Sequence, residues 1–254
     1  MMVQLLIWSL LALSTSPHLH PQRRSELEKC NHTLGVKRSS MESEGRCCTC
    51  FMTLPFCICE KIKAIDSSGM DLPEILIYTH YKEYGKTSNS GKLIPQLLPQ
   101  NSRIVFFHGE RSDVCITSSD TTTLVLCPSP DSIPLQDFLA GIPADQKLRL
   151  ILLDSTWSQS KSLNRNLDKA YSRVNLNAQA VAAGPSLFLN RKQVSAERTS
   201  TLETLIHALK VLKVSDKVSD GMYKALKVSV TSVLTQKGLR NNDEYNRNYE
   251  KNIV

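Results

Sequence analysis

A chain of 254 residues with 41% hydrophobic content has enough apolar material for one large domain or two small ones, which excludes global disorder. An excess of 31 Lys and Arg over 24 Asp and Glu gives a net charge of +7 and a pI near 9.0. That balance suits a polyanionic partner such as RNA without requiring one.

Residues 1–43 read as a leader followed by a polar linker without a clear hydrophobic period. Val3 to Leu13 is apolar apart from Gln4 and Ser9, and Ser14, Thr15 and Ser16 follow. The run resembles the apolar centre of a secretory signal, but no Lys or Arg precedes it. It is too short to span a bilayer, so no stable membrane partner is expected. Arg23 and Arg24 come before the first acidic residue, Glu26, which keeps an organellar transit segment open. A spurious gene-model start is a third reading. Cytoplasm or nucleus is the expected compartment, with import or secretion through residues 1–16 left open.

Five of the eight cysteines fall between Cys47 and Cys59, while Cys30, Cys115 and Cys127 are scattered. A secreted disulfide scaffold would spread its cysteines; tight clustering points to reduced thiolates around a metal. Cys47, Cys50, Cys57 and Cys59 form two close pairs suited to one tetrahedral zinc site in a knuckle at 44–60. Cys47 is preferred to Cys48 because Cys-x2-Cys closes the better chelate loop. Four thiolates leave no position for water, so this metal organises and does not catalyse.

From 61 to 236 short apolar runs alternate with helical patterns, which predicts a mostly parallel sheet covered by helices. Expected strands are 75–78, 104–107, 123–126 and 148–153, with another near 178–183. Expected helices are 202–213 and 222–234, each with an apolar stripe at i, i+3, i+4, i+7 spacing. Residues 237–254 read as a polar tail.

Three further blocks carry chemistry. His80 and Glu83, followed by Asn89, Ser90, Gly91 and Lys92, leave the first strand and either line a cleft or form an ordinary capped loop. Asp154, Ser155, Thr156 and Trp157 follow the strand at 148–153, at the sheet edge where α/β proteins bind ligands. Asp154 there is either a helix cap or a general base, and Trp157 either core or site. Ser200 and Glu203 form a capping box whose helix start also suits an anionic ligand.

In this order the blocks resemble the DTW-domain family of tRNA-uridine aminocarboxypropyltransferases. The matching pieces are Arg46 with the cysteine knuckle, His80 with Glu83, Asn89-Ser90-Gly91-Lys92-Leu93, Leu124-Val125-Leu126-Cys127-Pro128, Asp154-Ser155-Thr156-Trp157 and Ser200-Thr201-Leu202-Glu203. The resemblance implies an α/β, SPOUT-like catalytic domain with a C-terminal trefoil knot, preceded by the zinc knuckle. It implies transfer of the 3-amino-3-carboxypropyl group of S-adenosylmethionine to N3 of a tRNA uridine. The segments around Trp157 and Ser200 are closer to eukaryotic members, which act on the D-loop.

Carried onto this chain, Asp154 is the expected base, with Thr156 and Trp157 completing the catalytic group. Asn89, Gly91, Ser155, Ser200, Thr201 and Glu203 would hold S-adenosylmethionine: helix-start N–H groups for its carboxylate, Glu203 for its ammonium. His80 and Glu83 would line the cleft, and Arg191 and Lys192 would contact RNA phosphates. Asp154→Ala is expected to abolish turnover with the fold near normal. Tyr81, Ser90 and Ser155 stand where the family has Pro, Thr and Gly, and Pro55 sits two residues late. If the Gly needs positive φ, Ser155 is strained. Such departures keep one alternative in view, a non-catalytic zinc-stabilised RNA-binding protein on the same fold.

Overall fold

Ile75 and Ile77 pack into one hydrophobic cluster and Leu76 and Tyr78 into another on the opposite face. Burial on both faces is why the strands read as continuous apolar runs and not as alternating ones. The computed structural model describes residues 21–107, 120–177 and 199–238. In these segments β1 (Glu74–Thr79), β2 (Ser102–Phe106), β3 (Thr121–Leu126), β4 (Ile133–Pro134), β5 (Lys147–Asp154) and β6 (Ser172–Asn175) form a six-stranded sheet in the order β2-β1-β5-β3-β6-β4. Every pairing is parallel. The helices are α1 (Pro21–Ser43), α2 (Ile94–Leu97), α3 (Leu135–Ala140), α4 (Trp157–Asn166), α5 (Thr201–Val211) and α6 (Asp216–Gln236).

α5 and α6 cover one face, where Leu202, Leu205, Leu209, Met222, Leu226 and Val230 join the strand side chains in the larger core. α4 covers the other through Leu163. At the amino ends of the strands, Glu74 on β1 accepts from buried Arg149 on β5 at 2.7 Å, with Arg103 on β2 3.6 Å away. That edge is closed by an ion pair. The opposite edge carries the polar blocks.

Several expectations change. Residues 21–43 are helical where a polar linker was expected. Leu27, Cys30, Leu34 and Met41 are buried against Phe51, Tyr84 and Phe106. The short strands β4 and β6 carry too few apolar residues to register as runs. α6 begins at Asp216, one and a half turns before the expected start, because Val218 and Ser219 are also buried. The expected strand at 178–183, residues 1–16 and most of the tail lie outside the described residues. None of the described helices is long and apolar enough to cross a membrane.

The docking of α1 has a measurable consequence. Leu34 is 2% exposed, so Leu34→Ala is expected to cost about 3 kcal/mol in urea unfolding. An unchanged midpoint would mean that α1 does not pack on the domain.

Candidate active site and metal centre

Asp154 ends β5 and lies in register with Thr79, which ends β1. β1 leads on to β2 on one side, whereas β5 leads on to β6 on the other. The carboxyl ends of these two strands therefore flank a topological switch point, where open α/β sheets bind ligands.

The carboxyl group of Asp154 is 5% exposed. Asn89 Nδ2 donates to its Oδ2 at 2.6 Å, Thr79 Oγ1 donates to the same atom at 3.3 Å, and Thr201 Oγ1 donates to Oδ1 at 2.8 Å. Its backbone carbonyl accepts from His80 N–H at 3.0 Å. A carboxylate offers about four acceptor positions. Among the described residues three are filled, and Oδ1 keeps one. Burial pushes the Asp154 carboxyl above the usual aspartate range, opposed by the hydrogen bonds from Asn89 and Thr201. Asp154 is not a helix cap. Thr156 occupies that position at the start of α4, where its N–H donates to Gln159 Oε1 at 3.0 Å.

Gly91 explains itself by space. A Cβ there would stand 2.9 Å from Asp154 Cγ, and the backbone φ is not positive. Gly91→Ala must push the carboxyl off its donors. Turnover is expected to fall about 100-fold, with about 2 kcal/mol lost in stability, both read on purified protein. Ser155 departs from its expectation: it does not adopt positive φ, so it carries no backbone strain. Its Oγ is buried beside Asp154 without a hydrogen-bond partner among the described residues. Such an orphaned hydroxyl suits a ligand atom.

The start of α5 is more occupied than the sequence suggested. Ser200 N–H donates to Glu203 Oε2 at 2.8 Å, Glu203 N–H to Ser200 Oγ at 3.4 Å, and Leu202 N–H to Ser90 Oγ at 3.2 Å. These three N–H groups serve the capping box and the 89–93 turn, so they are not open to a ligand carboxylate. Thr201 contributes its hydroxyl to Asp154 instead. His80 Nδ1 accepts from Lys82 N–H at 3.2 Å and its ring stacks 4.7 Å from Tyr81. Glu83 is buried and paired with Lys86 at 2.7 Å. Its charge adds to the upward push on Asp154.

Sequence reasoning missed Thr79, and it placed Ser90 and Lys92 in the 89–93 block without giving either a role at Asp154. Lys92 is 4% exposed; its ammonium donates to Thr87 O at 2.7 Å and lies 5.0 Å over the Phe51 ring. Burial pushes it down to about 7. Its N–H donates to Asn89 Oδ1 at 3.0 Å, which fixes the amide that holds Asp154.

The sulfurs of Cys47, Cys50, Cys57 and Cys59 all lie within 4.8 Å of one another, with Cys47–Cys59 and Cys50–Cys57 each at 3.6 Å. Zinc–sulfur bonds of about 2.3 Å give a tetrahedron with edges of about 3.8 Å, so the donor set fits a metal of that size. Cys48 Sγ instead turns to Glu42 at 3.7 Å. Phe51 takes the left-handed conformation, φ 63°, and Arg46 donates to its carbonyl through Nε and Nη2. The same guanidinium reaches Gly85 O, and Phe51 packs edge-on against Tyr84 at 5.0 Å. The knuckle is thereby fastened to the 80–93 loop that carries Asn89 and Gly91.

The family model for the DTW domain matches residues 44–234. This chain belongs to the DTW-domain family. A relative, tRNA-uridine aminocarboxypropyltransferase 2 of Drosophila melanogaster, is 30% identical over 213 residues, which cover 80% of this chain and 72% of the relative. No solved structure matches. The DTW domain thus spans both the knuckle and the Asp154 cleft, while α1 precedes the matched region. Of the residues expected in the site, Asn89, Gly91, Asp154 and Thr201 meet directly, with Ser155 beside them. Ser200 and Glu203 cap α5, and His80 and Glu83 shape the adjoining turn. Arg191 and Lys192 lie outside the described residues, as does the side chain of Trp157.

Proposed function

We propose that this DTW-domain protein transfers the 3-amino-3-carboxypropyl group of S-adenosylmethionine to N3 of a tRNA uridine in the D-loop, releasing methylthioadenosine. The carrying observation is Asp154: a buried carboxylate at the switch point, held by three donors, with one acceptor position left on Oδ1. Asn89, Gly91, Ser155 and Thr201 surround it and form the pocket for the donor molecule. Bound there, S-adenosylmethionine supplies an electrophilic methylene beside its sulfonium. Uridine N3–H is a weak acid, and Asp154 takes its proton at Oδ1. Burial raises the carboxyl above the ordinary aspartate range, which makes its carboxylate a better proton acceptor, while the hydrogen bonds from Asn89, Thr201 and Thr79 favour the ionised form.

Thr156 fixes the start of α4 and, with Trp157, completes the catalytic group. Arg191 and Lys192 meet tRNA phosphates. Zinc on Cys47, Cys50, Cys57 and Cys59 organises the knuckle and takes no part in the reaction. The SPOUT-like arrangement with a C-terminal knot belongs to the same proposal, supported by β5 lying between β1 and β3. The non-catalytic RNA-binding alternative loses one of its supports, since Ser155 is unstrained.

The test is methylthioadenosine release with and without unmodified tRNA, followed by nucleoside mass spectrometry. Release that depends on tRNA, with aminocarboxypropyl-uridine in the digest, is expected. No product from folded, zinc-loaded protein on a full tRNA pool would reject the transferase reading.

A further inference from the structure

α1 carries a stripe of five residues, Leu27, Cys30, Leu34, Lys37 and Met41, spaced alternately three and four apart. That spacing keeps them on one face of a helix. Four of the five are buried in the cluster with Phe51, Tyr84 and Phe106. The remaining one is a lysine, and a lysine in an apolar stripe needs partners there. Lys37 Nζ donates to Lys82 O at 2.9 Å, Tyr84 O at 2.9 Å and Tyr81 O at 3.3 Å. An ammonium has three donors, and all three serve one turn.

That turn is the 3-10 helix Tyr81–Glu83, capped by His80, whose N–H donates to the Asp154 carbonyl. The carbonyls of Tyr81, Lys82 and Tyr84 turn their negative ends to Lys37, an arrangement that a cation stabilises. Burial and then Lys86 and Lys82 oppose the ammonium, and Glu83 favours it, so the three carbonyl contacts and not net charge hold it in place. The loop between this turn and α2 carries Asn89 and Gly91. α1 lies before the matched DTW domain, yet it fastens the loop from which the cleft is built.

We propose that Lys37 is a positioning residue for the cleft, clamping the 80–84 turn so that the following loop presents Asn89 and Gly91 to Asp154. The catalytic part of this inference rests on the transferase reading; the clamp itself does not.

The experiment compares Lys37→Met, which keeps the apolar stem, Lys37→Arg, which keeps the charge, and Lys29→Met, an exposed control on the same helix. Hydrogen exchange of full-length protein is followed on peptides covering residues 80–93, β1 and β5. Steady-state kinetics with tRNA and S-adenosylmethionine run alongside. Lys37→Met is expected to speed exchange in 80–93 about tenfold, with β1 and β5 unchanged. It should lower kcat about tenfold with KM for tRNA unchanged, and Lys37→Arg should restore most of both. Unchanged exchange in 80–93, or a kcat no lower than that of Lys29→Met, would overturn the proposal. Exchange needs no substrate, so a wild-type protein without turnover would reject the transferase reading while the clamp is still decided.

Discussion

Asp154→Asn is expected to leave the protein folded and to lower turnover at least about 1000-fold, the scale of a lost general base. The substitution is isosteric. The new amide oxygen still accepts from Asn89 and Thr79, and the Thr201 hydroxyl rotates to accept from the new NH2. Thermal stability therefore changes little, and tRNA binding stays near wild type. Asp154→Ala is the poorer probe: it strands the buried Asn89 amide and costs about 3 kcal/mol, so its fold is not near normal as the sequence alone suggested. In wild type the rate should rise with pH through a group above the ordinary aspartate range, because only the deprotonated carboxylate accepts the proton. Turnover by Asp154→Asn within tenfold of wild type would remove Asp154 from the proton step.

The second large effect is expected from the knuckle. Cys50 is fully buried, and its thiol is drawn low by a hydrogen bond from Cys59, burial opposing, and by the backbone N–H groups of Ile58 and Met52. Cys50→Ser should abolish zinc binding, read by elemental analysis, and lower Tm by about 10 °C or more. Cys48→Ser should change neither, since that thiol faces Glu42. The loss should spread beyond residues 47–59. Ser232 Oγ donates to Phe56 O at 2.7 Å, and Thr53 N–H donates to Gln236 Oε1 at 3.2 Å, so α6 leans on the knuckle. A chelated protein with undiminished Tm would reject a structural metal.

The four main strands were legible because burial on both faces demands unbroken apolar runs, as in residues 148–153. The helix at Thr201–Val211 was legible through its stripe and its capping box. α1 was hidden by its own composition: its exposed face is mostly polar and includes Gly35 and four serines, and Lys37 interrupts the inner stripe that would have revealed it. The grouping of the four knuckle cysteines could be read because metal geometry restricts spacing in the chain, and the fold brings their sulfurs within 4.8 Å of one another. The donors around Asp154 could be read only in part. Thr79 and Thr201 reach it because two strands and a helix converge, and no local pattern records that convergence. Ser90 was visible as part of the 89–93 block and as a replaced residue, but not as the group that accepts the Leu202 N–H and joins that block to α5.

Asp154 gathers its donors across 75, 65 and 47 residues of intervening chain. Contacts of that span form late, because each must first meet the entropy of closing a long loop. A partly folded or proteolytically shortened chain would therefore hold thiolates, helices and basic charge without holding a competent carboxylate. On the transferase reading, affinity for RNA would precede chemistry during synthesis, and the ability to modify it would arrive only with the first turn of α5, which brings Thr201 to Asp154.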